Sequence, residues 1–241
     1  MEKINKEFFN KNFLNKVIQV RKLEAQRHHQ NDMYAKPLQN KRKKRVENEI
    51  KKYCVGKSFY DIGCAEGLFC DLAISFGAKI AKGVDVVEEK IKKAKLEFSR
   101  CEFDVVDCLN LQEKKSYDVV LCSEVLQHIV DYKKCLSEIV KILNEDGIFI
   151  LTTPNLSPKN SHLFADLKPT QSSDELLHEI GGASFGKQNA IWKFNTQTLY
   201  KDIGKEFSLR TIDYFKIGAK PINDQTKEQA SNLFTVMVFQ K

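Results

Sequence analysis

Phe59-Tyr60-Asp61-Ile62-Gly63-Cys64-Ala65-Glu66-Gly67 is the stretch on which the fold turns. It opens as the end of a short apolar run, residues 58–62, that carries one carboxylate. A glycine-containing turn follows at once, and residues 68–76 then have helical spacing. A strand that passes straight into a helix through such a turn is the first half of a β–α unit. Open α/β sheets bind ligands at the carboxyl ends of their strands, where these turns sit. Gly63 and Gly67 let the backbone approach a ligand with no Cβ in the way.

Reading downstream, Lys79–Val84 is a second strand, Glu88–Phe98 a helix, and Cys101–Val106 and Asp118–Cys122 the third and fourth strands. A helix is expected over Tyr132–Leu143, then a turn at Asn144-Glu145-Asp146-Gly147 and a fifth strand, Ile148–Thr153. Repeated β–α units predict a parallel sheet covered by helices on both faces. A polar stretch of about forty residues follows Pro154, with the pair Gly181-Gly182 inside it. Loops of that length in a compact domain are usually functional or mobile. A helix at Thr196–Ile203 and strands at Leu209–Tyr214 and Leu233–Gln240 complete the chain.

Upstream, Ile4, Phe8, Phe9, Phe13, Leu14, Val17 and Ile18 mark an amphipathic helix over residues 4–23, and a second is expected from about 38 to 53, with Val46, Ile50 and Tyr53 as its stripe. The 241 residues carry a net charge of +7, unevenly placed. Residues 1–57 hold 16 Lys/Arg against 6 Asp/Glu, whereas the remaining 184 hold 23 against 26. The surplus peaks at Lys41-Arg42-Lys43-Lys44-Arg45. Seven cysteines form no C-x-x-C pair, which favours reduced core thiols over disulfides or zinc. The N-terminal run lacks a signal peptide's apolar core, and no stretch approaches the length of a membrane span, so the expected location is cytoplasmic.

Nucleotide dehydrogenases place glycines at the first β–α turn to seat a pyrophosphate on a helix N-terminus. Asp61 would repel that anion and suits a ligand with a cationic end. Here the sequence resembles class I S-adenosylmethionine-dependent methyltransferases, whose first motif is an acidic residue, a hydrophobic one, then G-x-G-x-G. Asp61, Gly63 and Gly67 match, and Ala65 replaces the middle glycine. The resemblance implies that this loop, Cys64 included, holds the methionine end of S-adenosylmethionine, released as S-adenosylhomocysteine. It implies that Asp85, which ends Gly83-Val84-Asp85 eighteen residues after Gly67, takes the ribose hydroxyls beside Val86. Asp107 and Cys108, in Val106-Asp107-Cys108-Leu109, would meet the adenine; Asp104 lies inside the strand pattern and should face solvent.

The stretch Asp118-Val119-Val120-Leu121-Cys122-Ser123-Glu124-Val125-Leu126-Gln127-His128 resembles the "D-h-h-h-x-x-E-V-L-E-H" segment of small-molecule methyltransferases, including ubiquinone-pathway O-methyltransferases. Cys122 and Ser123 would flank the methionine portion. Were the segment helical, Glu124 and His128 would share a face. Some relatives bind a divalent metal here through a third, carboxylate ligand; Gln127 is a poor substitute, so metal is not expected. His128 is the candidate general base, with Glu124 behind it.

The resemblance thus implies an α/β, Rossmann-like, doubly wound and mostly parallel seven-stranded sheet. Residues 1–57 would be a basic helical extension capping the substrate, and 58–241 the methyltransferase domain, with a substrate-covering insertion at 156–195. His28, His29, Tyr34, His162, His178 and Trp192 lie in those covering segments. The basic extension points to an anionic small molecule, such as a sugar or surface-glycan precursor. RNA is the alternative acceptor, although the basic run carries no interleaved aromatics. A cofactor-binding protein without catalysis and a dinucleotide dehydrogenase are the other readings.

Overall fold

The computed structural model describes residues 36–113, 116–129, 131–155, 163–164, 192–194, 196–204, 206–216 and 233–241. The helix expected over 4–23, His28, His29, Tyr34, His162 and His178 lie outside them. The elements run α1 (Lys36–Tyr53), β1 (Ser58–Ile62), α2 (Leu68–Ser75), β2 (Ile80–Asp85), α3 (Glu88–Glu97), β3 (Glu102–Val105) and β4 (Tyr117–Ser123). A 3-10 turn at Leu126–His128 leads to α4 (Tyr132–Ile142) and β5 (Leu143–Asn155). After β6 (Leu163–Phe164) and β7 (Trp192–Lys193) come α5 (Thr196–Ile203), β8 (Ser208–Lys216) and β9 (Leu233–Gln240).

Seven strands form one sheet in the order β3-β2-β1-β4-β5-β9-β8. The pairs among β1 to β5 are parallel, and β9 lies antiparallel to both β5 and β8. The chain winds from β1 to β2 and β3, then returns to lay β4 on β1's other side. That reversal opens a crevice above the carboxyl ends of β1 and β4, the usual ligand position in doubly wound sheets. β6 and β7 pair separately as a two-residue antiparallel ribbon inside the segment expected to lack regular structure. Two-residue strands are too short to leave a periodic signature.

Alternation along the strands builds two cores. Tyr60, Ile62, Val120, Cys122, Phe149 and Leu151 face α4 and α5, where Cys135, Ile139, Leu199 and Ile203 are buried. Phe59, Val119, Leu121, Ile148, Ile150, Val236 and Val238 face the other helices, through Val46, Ile50, Cys70, Ala73, Ile91 and Ala94. Small residues on α2 and α3 bring those helices close to the sheet. Gly83 completes the fit, since a Cβ there would stand 2.7 Å from Cys64 Sγ. The helix ends are locally coded: Asp131 caps α4 by accepting the Lys134 N–H, Glu88 and Glu89 open α3, and Lys51 and Lys52 close α1. All seven cysteines are free thiols, six of them buried. Among the described residues no helix is long and apolar enough to cross a membrane.

The sheet's opposite edge is pinned by Asp118. Its Oδ2 accepts the Ser58 N–H and Oγ–H at 2.9 Å each, its Oδ1 accepts Asn144 Nδ2–H at 3.0 Å, and its own N–H returns to Ser58 Oγ. Asn144 arrives there because the expected turn, residues 144–147, is a bulge inside β5: Leu143 pairs with Tyr117, and pairing resumes with Ile148 opposite Val119. Burial raises the Asp118 carboxyl, but the Ser58 and Asn144 hydrogen bonds overcome it and hold the group below its ordinary value. A depressed folded pKa stabilises above the unfolded value of about 3.9 and loses that contribution as pH falls through the folded one. Asp118→Ala is therefore expected to lower unfolding free energy by about 2 kcal/mol at pH 7, as for hydrogen bonds to a charged group. The difference from wild type in urea midpoint should shrink once the pH drops below that range.

Candidate functional site

The crevice is built on the turn after β1, and that turn is tied to β2 by its own amides. Gly63 N–H and Cys64 N–H both donate to Val84 O, at 2.7 and 3.0 Å. Ala65 N–H donates to Asp85 Oδ2 at 3.0 Å, and Gly67 N–H to Cys64 O at 2.9 Å. Four donors that could have formed an anion cradle thus point inward. The turn is left-handed at three positions, Gly63 (φ 70°), Ala65 (φ 50°) and Gly67 (φ 87°). A Cβ on Gly63 would stand 2.2 Å from Val125 Cγ2, and one on Gly67 2.6 Å from the Phe103 ring. The two glycines are fixed by sterics as well as by conformation.

Asp61 is the penultimate residue of β1, just before this turn. It is 1% exposed, and neither carboxylate oxygen has a hydrogen-bond partner. Burial, with Asp85 adding like charge, pushes its pKa well above the ordinary value. Burying an unpartnered carboxylate is costly, so such groups normally face a counter-charge. Asp85, at the end of β2, is arranged differently: Oδ2 takes the Ala65 N–H and Oδ1 the Val87 N–H at 2.9 Å. Each oxygen keeps a lone pair for an outside donor. Val86 is half-buried beside it. Beyond β3, Asp107 Oδ1 accepts the Leu109 N–H at 2.9 Å, and Cys108 is buried against the core. Asp104 is exposed and paired with Lys82 at 2.9 Å, as its place in the strand pattern predicted.

The tip of β4 carries a polar network. Ser123 Oγ meets Thr152 Oγ1 at 3.0 Å and accepts from Arg42 Nη1 at 2.9 Å. Glu124 Oε1 accepts Thr152 Oγ1–H at 2.9 Å and faces Arg42 Nη1 at 3.8 Å; Oε2 accepts Gln127 Nε2–H at 3.3 Å. Gln127 is itself buried, its Oε1 near Thr153 Oγ1 at 3.4 Å. Burial raises the Glu124 carboxyl while Arg42 and the Thr152 and Gln127 hydrogen bonds lower it, with burial prevailing; burial likewise lowers Arg42 against Glu124's pull. The Cys122 thiol is fully buried in the core beneath this network, so at that position only the backbone reaches the crevice.

Glu124 and His128 would share a face only if the segment were helical, and the backbone does not meet that condition. Glu124 sits at φ 60°, and only Leu126–His128 turn as a 3-10 helix. His128 is half-buried at the end of that turn, its N–H on Val125 O at 2.8 Å. A divalent metal does not fit this donor set: the Glu124 carboxylate is held by Thr152 and Gln127 beside a cation, and the Gln127 amide is turned to Glu124 and Thr153. Among the described residues no cluster of three His, Cys, Asp or Glu could hold a metal. The residue that sequence reasoning passed over is Arg42, counted there only as one charge of the basic run at 41–45. A signal existed, because Arg42, Arg45 (paired with Glu49), Val46 and Ile50 share the face of α1 that carries its apolar stripe.

A doubly wound sheet with an acid at each of its first two strand tips, and a turn whose amides refuse an anion, defines a class I S-adenosylmethionine-dependent methyltransferase of Rossmann-like fold. The chain belongs to the family described as "Methyltransferase domain", which matches residues 55–209. It is 29% identical over 112 residues to a ubiquinone biosynthesis O-methyltransferase of Neisseria meningitidis serogroup A, covering 44% of this chain and 47% of that protein. The chain thus aligns with about half the length of that relative. Its fold is similar to that of the N-methyltransferase NodS of Bradyrhizobium japonicum, solved with S-adenosylhomocysteine (TM-score 0.61, 14% identity, 94% of this chain and 98% of that one). The magnesium protoporphyrin IX methyltransferase of Synechocystis, also solved with S-adenosylhomocysteine, is similar too (TM-score 0.59, 16% identity, 98% and 96%).

Ala65 occupies a left-handed conformation at the position where the motif's middle glycine would stand. An L-residue pays roughly 1–2 kcal/mol there, partly offset by the greater unfolded-state freedom of glycine. Ala65→Gly should therefore raise stability by about 1 kcal/mol, read as an increase in Tm or in urea midpoint. An unchanged or lowered midpoint would contradict the strain.

Proposed function

We propose that this protein methylates an oxygen of a small, anionic metabolite in the cytoplasm, with S-adenosylmethionine as donor. The observation that carries the donor site is Asp61, a fully buried carboxylate with neither oxygen hydrogen-bonded. The α-ammonium group of the donor is the counter-charge that such a group lacks, and its arrival favours the ionised form of Asp61. Arg42, donating to Ser123 at the tip of β4, is placed to take the adjacent α-carboxylate. Asp85 offers its two remaining lone pairs to the ribose hydroxyls, next to Val86. Asp107 and the Cys108 backbone receive the adenine, while Gly63, Cys64, Gly67, Cys122 and Ser123 form the walls.

When bound, the donor supplies a methyl group on a sulfonium that an acceptor displaces in line. The protein's work is then alignment and handling of one proton. His128, half-buried beyond the tip of β4, receives the proton of a hydroxyl acceptor. Glu124 is less suited to that task, because its oxygens already hold Thr152 and Gln127 and face Arg42. The oxygen acceptor is supported by the curated relative, an O-methyltransferase. Against an RNA acceptor, Arg42 and Arg45 are committed to Ser123, Glu124 and Glu49, which removes two of the five charges from the basic run. Lys41 and Lys44 stay exposed. The anionic character of the acceptor rests on the basic surplus of residues 1–57, for which a sugar or surface-glycan precursor is the candidate class.

Calorimetry with S-adenosylhomocysteine and with NAD tests the donor directly: the first should bind and the second should not. Asp85→Ala is expected to weaken S-adenosylhomocysteine at least tenfold, since hydrogen bonds to a charged group are worth roughly 1.5–3 kcal/mol. Unchanged affinity in that variant would overturn the ribose assignment. Whole-cell extract incubated with methyl-labelled donor should yield a labelled small-molecule product with wild type, and His128→Gln should lower its kcat by about 10²-fold or more while leaving S-adenosylhomocysteine affinity within twofold. Labelled RNA with no labelled metabolite would overturn the acceptor class.

A further inference from the structure

Resting on the donor assignment above, we propose that Glu124 reads the charge on the donor's sulfur, so that the site holds the sulfonium more tightly than the neutral thioether left after transfer. Three charged side chains gather where the methionine end lies. Asp61 comes from β1, Glu124 follows β4, and Arg42 reaches over from α1. The two carboxylates stand at adjacent strand ends: β1 and β4 pair in parallel with Asp61 opposite Leu121 and Ile62 opposite Cys122, two residues before Glu124. Val125, the residue after Glu124, packs against Gly63, which brings this corner onto the donor turn.

With both carboxylates ionised the three side chains sum to −1. The donor's methionine end carries an ammonium, a carboxylate and a sulfonium, a sum of +1. Asp61 and Arg42 account for the ammonium and the carboxylate, and Glu124 is the remaining anion opposite the remaining cation. Breaking the carbon–sulfur bond leaves its electron pair on sulfur, the methyl carbon bonds to the acceptor oxygen, and the acceptor proton passes to His128. The methionine end then carries no net charge, and one buried carboxylate has lost its complement. In a poorly solvated corner, a unit charge a few ångströms away is worth far more than in water.

Glu124 is also built to stay where it is. It holds a left-handed backbone without being glycine, its N–H donates to Thr152 O at 3.0 Å, and both carboxylate oxygens are fixed by Thr152 and Gln127. Non-glycine residues persist in that conformation where their surroundings over-determine them, commonly at functional sites. Arg42 Nη1 donates to Ser123 Oγ at 2.9 Å and stands 3.8 Å from Glu124 Oε1, which places a cation beside the carboxylate.

The test uses two unreactive ligands and no acceptor. S-adenosylhomocysteine is neutral at the sulfur position, and sinefungin carries an amine there, cationic at pH 7.5. Calorimetry on the full chain should show sinefungin binding about tenfold tighter than S-adenosylhomocysteine, or about 1.4 kcal/mol. In Glu124→Gln, which keeps the side chain's size, that ratio should fall to near one, chiefly through loss of sinefungin. Binding of S-adenosylhomocysteine within threefold of wild type would show the site intact, and Glu124→Asp should keep a preference. Equal affinities in wild type, or an unaltered ratio in Glu124→Gln, would overturn the proposal; if Glu124→Gln fails to fold, Glu124→Asp carries the test, and a ratio below wild type is the expected result. If neither ligand binds wild type, the donor assignment itself is overturned and this inference goes with it.

Discussion

Everything at the carboxyl edge of this sheet follows from where the amides of residues 63–67 point. Gly63, Cys64 and Ala65 give theirs to Val84 O and Asp85, and Gly67 gives its own to Cys64 O. A dinucleotide-binding turn leaves such donors free for a pyrophosphate. Here three are consumed in fastening the turn to β2 and the fourth within the turn itself, and the potential above the strand tips is set by side chains instead. Two of these, Asp61 and Asp85, are acids. The same hydrogen bonds that hold the loop shape therefore decide the sign of the ligand it accepts.

Asp85 shows how one side chain serves both purposes. Its carboxylate receives two backbone N–H groups, from Ala65 and Val87, so it closes the turn and starts the approach to α3. Acceptor capacity remains because each oxygen has a second lone pair. Asp61 is the opposite case, a group with no structural partner at all. An apolar residue of similar size would fold more easily at that depth. A buried carboxylate with nothing to hold is intelligible as half of an interaction whose other half arrives with the ligand.

The architecture was legible from the first motif outward, because buried parallel strands and their turns carry strong local signals. Six of the seven strands in the main sheet and each described helix fall within a few residues of the sequence-based expectation. The fifth strand departs most. Residues 144–147 have the composition of a turn, yet Leu143 still pairs with Tyr117, so the chain bulges and never leaves the sheet. Composition reports that the backbone bends; it does not report that pairing continues on both sides. The segment after β4 misled in another way. Glu124 and His128 are four apart, which is one helical face only if the backbone is helical, and the left-handed φ of Glu124 prevents that. Gln127 does face Glu124, a neighbour relation that spacing alone would not have favoured over the His128 pairing.

The largest gap concerned the basic run at 41–45, and the cause is general. Charge counted along a sequence treats each cation as equivalent, whereas a helix sorts them by angle. In α1 the positions of Arg42 and Arg45 turn with Val46, Glu49 and Ile50 toward the sheet, while Lys41 and Lys44 turn away. Arginine suits the inward positions because its guanidinium stays charged when buried and spreads its donors over several acceptors. Arg42 uses this to span from the helix to the tip of β4, meeting Ser123 and Glu124. The segment expected to cap the substrate thus brings a half-buried cation to the tip of β4. Helix α1 is joined to the crevice by packing at Val46 and Ile50 and by charge at Arg42, so loss of either contact would be felt at both.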